Sequence, residues 1–284
     1  MRAQAEILSQ IVKWGRASDI VRAAVLTSSR VHPDRTIDVL SDYDVELYVR
    51  DLGPFRADDD WLASFGVILV CWPLRPRETG FRDGWITRLV LFEDRVRIDF
   101  QITDRLAIPS DAYRNGCRVL LDKDGLTGGI DAPTHDAHWI RRPTLEQYRD
   151  RVNAFWWDAP YVAKHLWRDE LPFAAHMLSS LRAGSLRTMI EWSIGAAHDW
   201  RVDTGLGGRW FKRFLDSDTW SAYEETFATA EIRDHWRAFD ATTALFGRTA
   251  RLVGKALGVP YPEDLERRML GHLTWIRGLE RTLP

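Results

Sequence analysis

Two aspartates, Asp42 and Asp44, are separated by a single tyrosine in a stretch that alternates polar and apolar residues. A strand has a side-chain period of two, so both carboxylates face the same way. Carboxylates this close repel one another, and a cation between them is the usual means of keeping both ionised. Magnesium accepts a few carboxylate oxygens together with phosphate and water, which is what an Asp-x-Asp strand offers. Alone, the pair reads first as the solvated face of an edge strand. Asp99, in Arg97-Ile98-Asp99-Phe100, changes the balance, because it stands on the polar face of another predicted strand. Three carboxylates on one side of a sheet could hold two metal ions and serve an in-line phosphoryl displacement. Upstream, Thr27-Ser28-Ser29-Arg30 follows a short apolar run. Small hydroxyl residues at a strand end can turn N–H groups and hydroxyls toward a phosphate. A helix starting there would add a field that favours anions.

The elements that must position these groups follow from periodicity. Ile7, Leu8, Ile11 and Val12 recur at helical spacing and predict an amphipathic helix over 3–15. Val21–Leu26 predicts a strand. In 42–49, Tyr43, Val45, Leu47 and Val49 share one face, and Asp42, Asp44, Glu46 and Tyr48 the other. A short helix and a strand around Val67–Val70 come next. A hairpin follows, with arms 85–92 and 95–102 and Glu93-Asp94 at its tip. The segment DAPTHDAHWIRRP, 131–143, is rich in breakers and reads as a linker. Thr144-Leu145-Glu146-Gln147 is a capping-box pattern. The rest reads as helical, with Pro160 and Pro172 at first-turn positions of successive helices. Gly205, Gly207 and Gly208 interrupt the series. The expected fold is therefore α/β plus all-α. A mixed twisted sheet with flanking helices fills 1–140, a helical bundle fills 141–284, and a cleft between them is the natural ligand site.

Composition narrows the function classes. A net charge of -2 over 284 residues, without a basic run, argues against a nucleic-acid partner. No apolar run approaches the ~18 residues that span a bilayer, and the N-terminal residues lack the apolar core of a signal peptide. Cys71 and Cys117 have no metal-type spacing and read as reduced thiols of a cytoplasmic protein. Fourteen tryptophans exceed what a core needs, so some should line a cleft. Trp156 and Trp157 are read as core or cleft wall. The histidines form no zinc constellation.

In order, the strand, the Ser-Ser-Arg loop, Ser41-Asp42-Tyr43-Asp44 and the later Asp99 resemble the signature of the nucleotidyltransferase superfamily. Further segments are similar to the aminoglycoside 6-adenylyltransferases: Asp58 to Gly66, Leu91-Phe92-Glu93-Asp94 with Ile98-Asp99, Leu121 to Asp124, Phe155-Trp156 and Pro160 to Lys164. The resemblance runs from near residue 1 to about 265. It implies transfer of AMP from ATP to a hydroxyl of an aminoglycoside, streptomycin first, by a monomer or homodimer. Asp42, Asp44 and Asp99 would be catalytic and hold Mg2+; Ser28, Ser29, Arg30 and Lys164 would bind the nucleotide. Glu93 and Asp94 are either helpers for a cationic substrate or the polar tip of a hairpin. The chain departs from the family at Ser28, where a glycine is expected; serine suffices there if its φ is negative. It departs again at Gly205 to Arg209, where the family carries two lysines. Two alternatives stay open: another small-molecule or protein hydroxyl as acceptor, and a catalytically weak nucleotide-binding protein.

Overall fold

A computed structural model describes residues 2–78 and 82–280. The chain separates into two compact units, Met1–Ala137 and His138–Pro284. In the first, α1 (Gln4–Ala17) leads into β1 (Val21–Thr27), a 3-10 turn (Ser28–Arg30) and β2 (Tyr43–Val49). A short α2 (Gly53–Ala57) and a 3-10 turn (Asp60–Phe65) precede β3 (Ile68–Glu78), β4 (Ile86–Phe92), β5 (Arg97–Thr103) and β6 (Arg118–Asp122). These strands form one mixed sheet in the order β3-β4-β5-β2-β1-β6. Only β2 and β5 run parallel; the other neighbours are antiparallel. β4 and β5 are the expected hairpin.

The alternation in β2 and β5 decides which face is buried. Tyr43, Val45, Leu47 and Val49 join Ile98, Phe100 and Ile102 in one core, against Ile7, Leu8 and Ile11 of α1. Burying those three α1 side chains is worth on the order of 5 kcal/mol. Trp61 closes this core, its ring 5.0 Å from Phe100 and 5.4 Å from Trp14. β3 is longer than periodicity suggests, because it continues through Pro73 and Pro76. It lies at the sheet edge, where a missing N–H need not break a ladder bond.

The helices of the second unit begin after the irregular 131–143 segment. The unit comprises α3 (Leu145–Trp167), α4 (Leu171–Leu181), a π turn (Arg182–Leu186), α5 (Arg187–Ala197), a 3-10 turn (Leu206–Gly208), α6 (Phe211–Phe214), α7 (Ser217–Glu224), α8 (Ile232–Leu257) and α9 (Glu263–Arg277). The capping box forms: the Gln147 N–H donates to Thr144 Oγ1 at 3.1 Å and the Thr144 N–H to Gln147 Oε1 at 2.9 Å. Pro172 sits in the first turn of α4. Pro160 does not begin a helix; it lies inside α3. The helix continues because Trp156, Ala159, Val162 and Ala163 on both sides of it are core residues, which offsets one lost backbone bond. Phe155 stacks on Phe246 at 3.6 Å, and Trp156 donates to the Tyr261 hydroxyl at 2.9 Å. Among the described residues no helix is long and apolar enough to cross a membrane. Cys71 and Cys117 are free thiols.

Candidate active site

The site is built where β1, β2 and β5 meet at one end of the sheet. β1 is buried from Val21 to Leu26 and then turns at Ser28. β2 and β5 run parallel with Asp44 directly opposite Asp99. Asp42 lies two residues before Asp44, on the same polar face. The three carboxylates present oxygens within 4.8 Å of one another. Asp99 is 8% exposed. Such a set of hard oxygen donors fits a divalent cation that also takes phosphate oxygens.

The electrostatics show the strain of that convergence. Burial, then the neighbouring charges of Asp42 and Asp99, push the Asp44 carboxyl up to about 7. The Ser28 hydroxyl donates to Asp44 and pulls the other way. Burial also raises Asp99, against the pull of Arg97. Arg97 is the resident counter-charge: its guanidinium grips Asp99 with bonds of 2.8 and 2.6 Å and lies 3.7 Å from Asp42. It sits two residues before Asp99 on the same strand face, so the fork reaches along the strand to its partner.

Ser28 has φ of 63°. The condition for a harmless serine, a negative φ, is therefore not met: the residue occupies the left-handed region that glycine visits freely and serine at a cost of about 1–2 kcal/mol. Ser29 is the middle residue of the same turn. Arg30 is engaged with backbone, its Nε 2.8 Å from the Asp42 carbonyl, and its guanidinium lies over the Tyr43 ring at 3.7 Å. It thereby fixes the start of β2, the strand that carries the aspartates. Asp94, at the hairpin tip, is paired with Arg2 at 2.7 Å.

Lys164 belongs to the second unit, on α3. It stands 4.6 Å from the Tyr161 ring centroid and lines a cavity of about 650 Å³ with Trp157, Tyr161, Trp275 and Arg168. Trp157 is exposed there, whereas Trp156 is core. Periodicity missed two groups near the aspartates. Arg97 was visible only as a polar strand residue. Glu46, two places beyond Asp44 on the same face, is 9% exposed and bonded to Tyr113, Tyr48 and Arg82. Its burial needed the fold; its alternation did not.

A mixed sheet whose parallel central strands present three convergent carboxylates beside a serine turn is the apparatus of a nucleotidyltransferase. Comparison with known proteins sharpens that class. The model of the streptomycin adenylyltransferase family matches residues 1–276, and the chain belongs to that family. It is 28% identical over 271 residues to the aminoglycoside 6-adenylyltransferase of Bacillus subtilis, covering 93% of this chain and 94% of that one. It is likewise 28% identical over 267 residues to the enzyme of the same name from Campylobacter jejuni, covering 92% of each. The crystal structure of an aminoglycoside 6-adenyltransferase from Bacillus subtilis aligns over 98% of this chain and 100% of its own, with TM-score 0.49 and 26% identity.

Proposed function

We propose that this chain transfers AMP from ATP to a hydroxyl of an aminoglycoside, streptomycin first, with release of pyrophosphate. The observation that carries this reading is the convergence of Asp42, Asp44 and Asp99 within 4.8 Å, with Asp44 pushed up to about 7. The three carboxylates repel one another, Arg97 offsets part of that repulsion, and a cation among them would relieve the rest. Asp42, Asp44 and Asp99 would hold magnesium, which supplies charge neutralisation at the phosphates and lowers the barrier to displacement. Ser28 and Ser29 would offer backbone N–H groups, and Ser29 its hydroxyl, to the phosphates, while the Ser28 hydroxyl stays on Asp44. Asp99 would take the proton of the acceptor hydroxyl once its bonds to Arg97 are released, or, held on the cation, would leave that proton to solvent as the hydroxyl is acidified by the cation. The acceptor oxygen forms a bond to the α-phosphorus as the bond to the β-phosphate breaks, and pyrophosphate leaves with that electron pair. Most of the acceleration comes from positioning and fixed charge rather than covalent chemistry. Lys164 adds a cation for the triphosphate. The first unit is then the catalytic domain, and the helical unit contributes to nucleotide and substrate binding.

The test is direct. Purified protein is incubated with ATP, magnesium and streptomycin, and pyrophosphate release is followed with the mass of the antibiotic. A mass gain of one AMP, absent from Asp42→Ala and abolished by a chelator, is the expected result. Pyrophosphate release without a streptomycin adduct would replace the acceptor. Neither signal across a panel of aminoglycosides would overturn the reading.

A further inference from the structure

The polar face of β2 carries more than the aspartates. Glu46 follows Asp44 by two residues, about 7 Å further along the strand. Its carboxylate is nearly buried and fully engaged. The Tyr113 hydroxyl donates to Oε2 at 2.6 Å and the Tyr48 hydroxyl to the same oxygen at 3.2 Å. Oε1 accepts from Arg82 at 2.5 Å. The Arg82 guanidinium lies over the indole of Trp85, 3.8 Å from its centroid. Trp85 is itself held edge-on by Tyr48, with centroids 5.5 Å apart. A carboxylate at the side and an aromatic plane below is the arrangement that recognises a guanidinium.

The walls and the occupant differ in origin. Glu46 and Tyr48 belong to a central strand and Trp85 adjoins β4, all of them buried. Arg82 comes from the connection before β4, and its side chain is 41% exposed. A rigid slot is therefore filled by a group that can leave. Streptomycin carries guanidino groups on the same six-membered ring as its 6-hydroxyl, one of them on the adjacent carbon. That guanidino group is vicinal to the hydroxyl, so with the hydroxyl at the aspartates its outer N–H groups extend to hydrogen-bonding reach of a carboxylate one strand repeat along, where Glu46 stands.

Resting on the acceptor chemistry proposed above, we propose that Glu46, Trp85, Tyr48 and Tyr113 form a guanidinium subsite for the acceptor. Arg82 is its resident occupant and is displaced when the acceptor enters. The subsite favours guanidino over amino aminoglycosides, because a planar fork stacks and bonds together whereas an ammonium cannot.

The experiment pairs two variants whose effects run in opposite directions. Streptomycin affinity is measured by calorimetry, and its KM by AMP transfer, for wild type, Arg82→Ala and Glu46→Gln. Arg82→Ala should tighten streptomycin binding at least threefold, because the competitor is gone. Glu46→Gln should weaken it at least tenfold. Both should keep KM for ATP within twofold. A merely structural ion pair would leave streptomycin affinity alone, or weaken it in both variants, and either result overturns the proposal. Wild-type protein supplies a check independent of folding: methylguanidinium should compete with streptomycin, and methylammonium at equal ionic strength should not. Equal competition by the two ions overturns the proposal. If wild type transfers AMP to another acceptor only, the streptomycin reading falls. The slot is then judged by methylguanidinium binding to Arg82→Ala, read from indole NMR shifts; binding that persists when Glu46→Gln is added, or fails to occur, overturns it.

Discussion

Asp44 gives the site a measurable signature in the metal-free protein. A free aspartate titrates at 3.8, whereas burial and the charges of Asp42 and Asp99 bring Asp44 to about 7. Below pH 4 both the folded and the unfolded chain are protonated there, and nothing is lost. Between pH 4 and 7 the unfolded chain ionises first, so the folded state loses stability as pH rises. Above 7 the full penalty stands. A gap of about 3 pH units at about 1.4 kcal/mol each sets a ceiling near 4 kcal/mol. Asp44 is partly open to solvent, and screening by water and salt brings the expected value to about 2 kcal/mol.

Asp44→Asn removes the charge while keeping the volume, so the variant should be more stable than wild type. Urea unfolding in chelator, followed by tryptophan fluorescence, should show a gain of about 2 kcal/mol at pH 8. The gain should fall to less than half of that at pH 5, where most of the penalty has not yet developed. Magnesium should raise the wild-type midpoint at pH 8 and leave the variant's unchanged. AMP transfer should be lost. A variant less stable than wild type at pH 8, or a gain independent of pH, would refute the claim that these carboxylates are held against mutual repulsion.

Ser28→Ala should destabilise by about 1–2 kcal/mol, since it keeps the left-handed φ and loses the donor to Asp44. Ser28→Gly should be more stable than Ser28→Ala by about 1 kcal/mol in the same urea assay; the reverse order would show that φ is not strained. Arg97→Gln removes the counter-charge of Asp99, so Mn2+ affinity without nucleotide should rise several-fold by electron paramagnetic resonance, and unchanged affinity contradicts that role. Lys164→Met should raise KM for ATP about tenfold with an unchanged unfolding midpoint; an unaltered KM removes Lys164 from nucleotide binding.

The legible parts of the molecule share a cause: they are local. The period of two in 42–49 and 96–102 marked the two strands and their polar faces, and the fold paired those strands so that Asp44 meets Asp99. The Thr144–Gln147 pattern located the start of α3 to the residue. Pro160 misled because its cost of one backbone bond is small beside the packing of its neighbours. β6 leaves no such mark in the sequence: it is a five-residue edge strand with a bulge against β1, too short for alternation to show. Two of the Glu46 partners, Arg82 and Tyr113, lie 36 and 67 residues away in the chain. No periodicity connects such positions; only the sheet order does.

Ser28 joins the two kinds of information. The sequence marks it as a departure from glycine, and the backbone shows that the position still has the geometry glycine would supply. A serine held there is strained by about 1–2 kcal/mol. It also gives Asp44 a hydroxyl donor, and a hydrogen bond to an ionised group contributes about 1.5–3 kcal/mol. The two effects are of similar size and opposite sign when Asp44 is charged. They separate when it is not, because a protonated Asp44 needs the donor less. Serine at this turn is therefore best tolerated when the carboxylate is ionised, which is the state that a bound cation enforces. The departure from glycine thus costs the empty, protonated site more than the loaded one, and it shifts stability toward the form of the protein that can react.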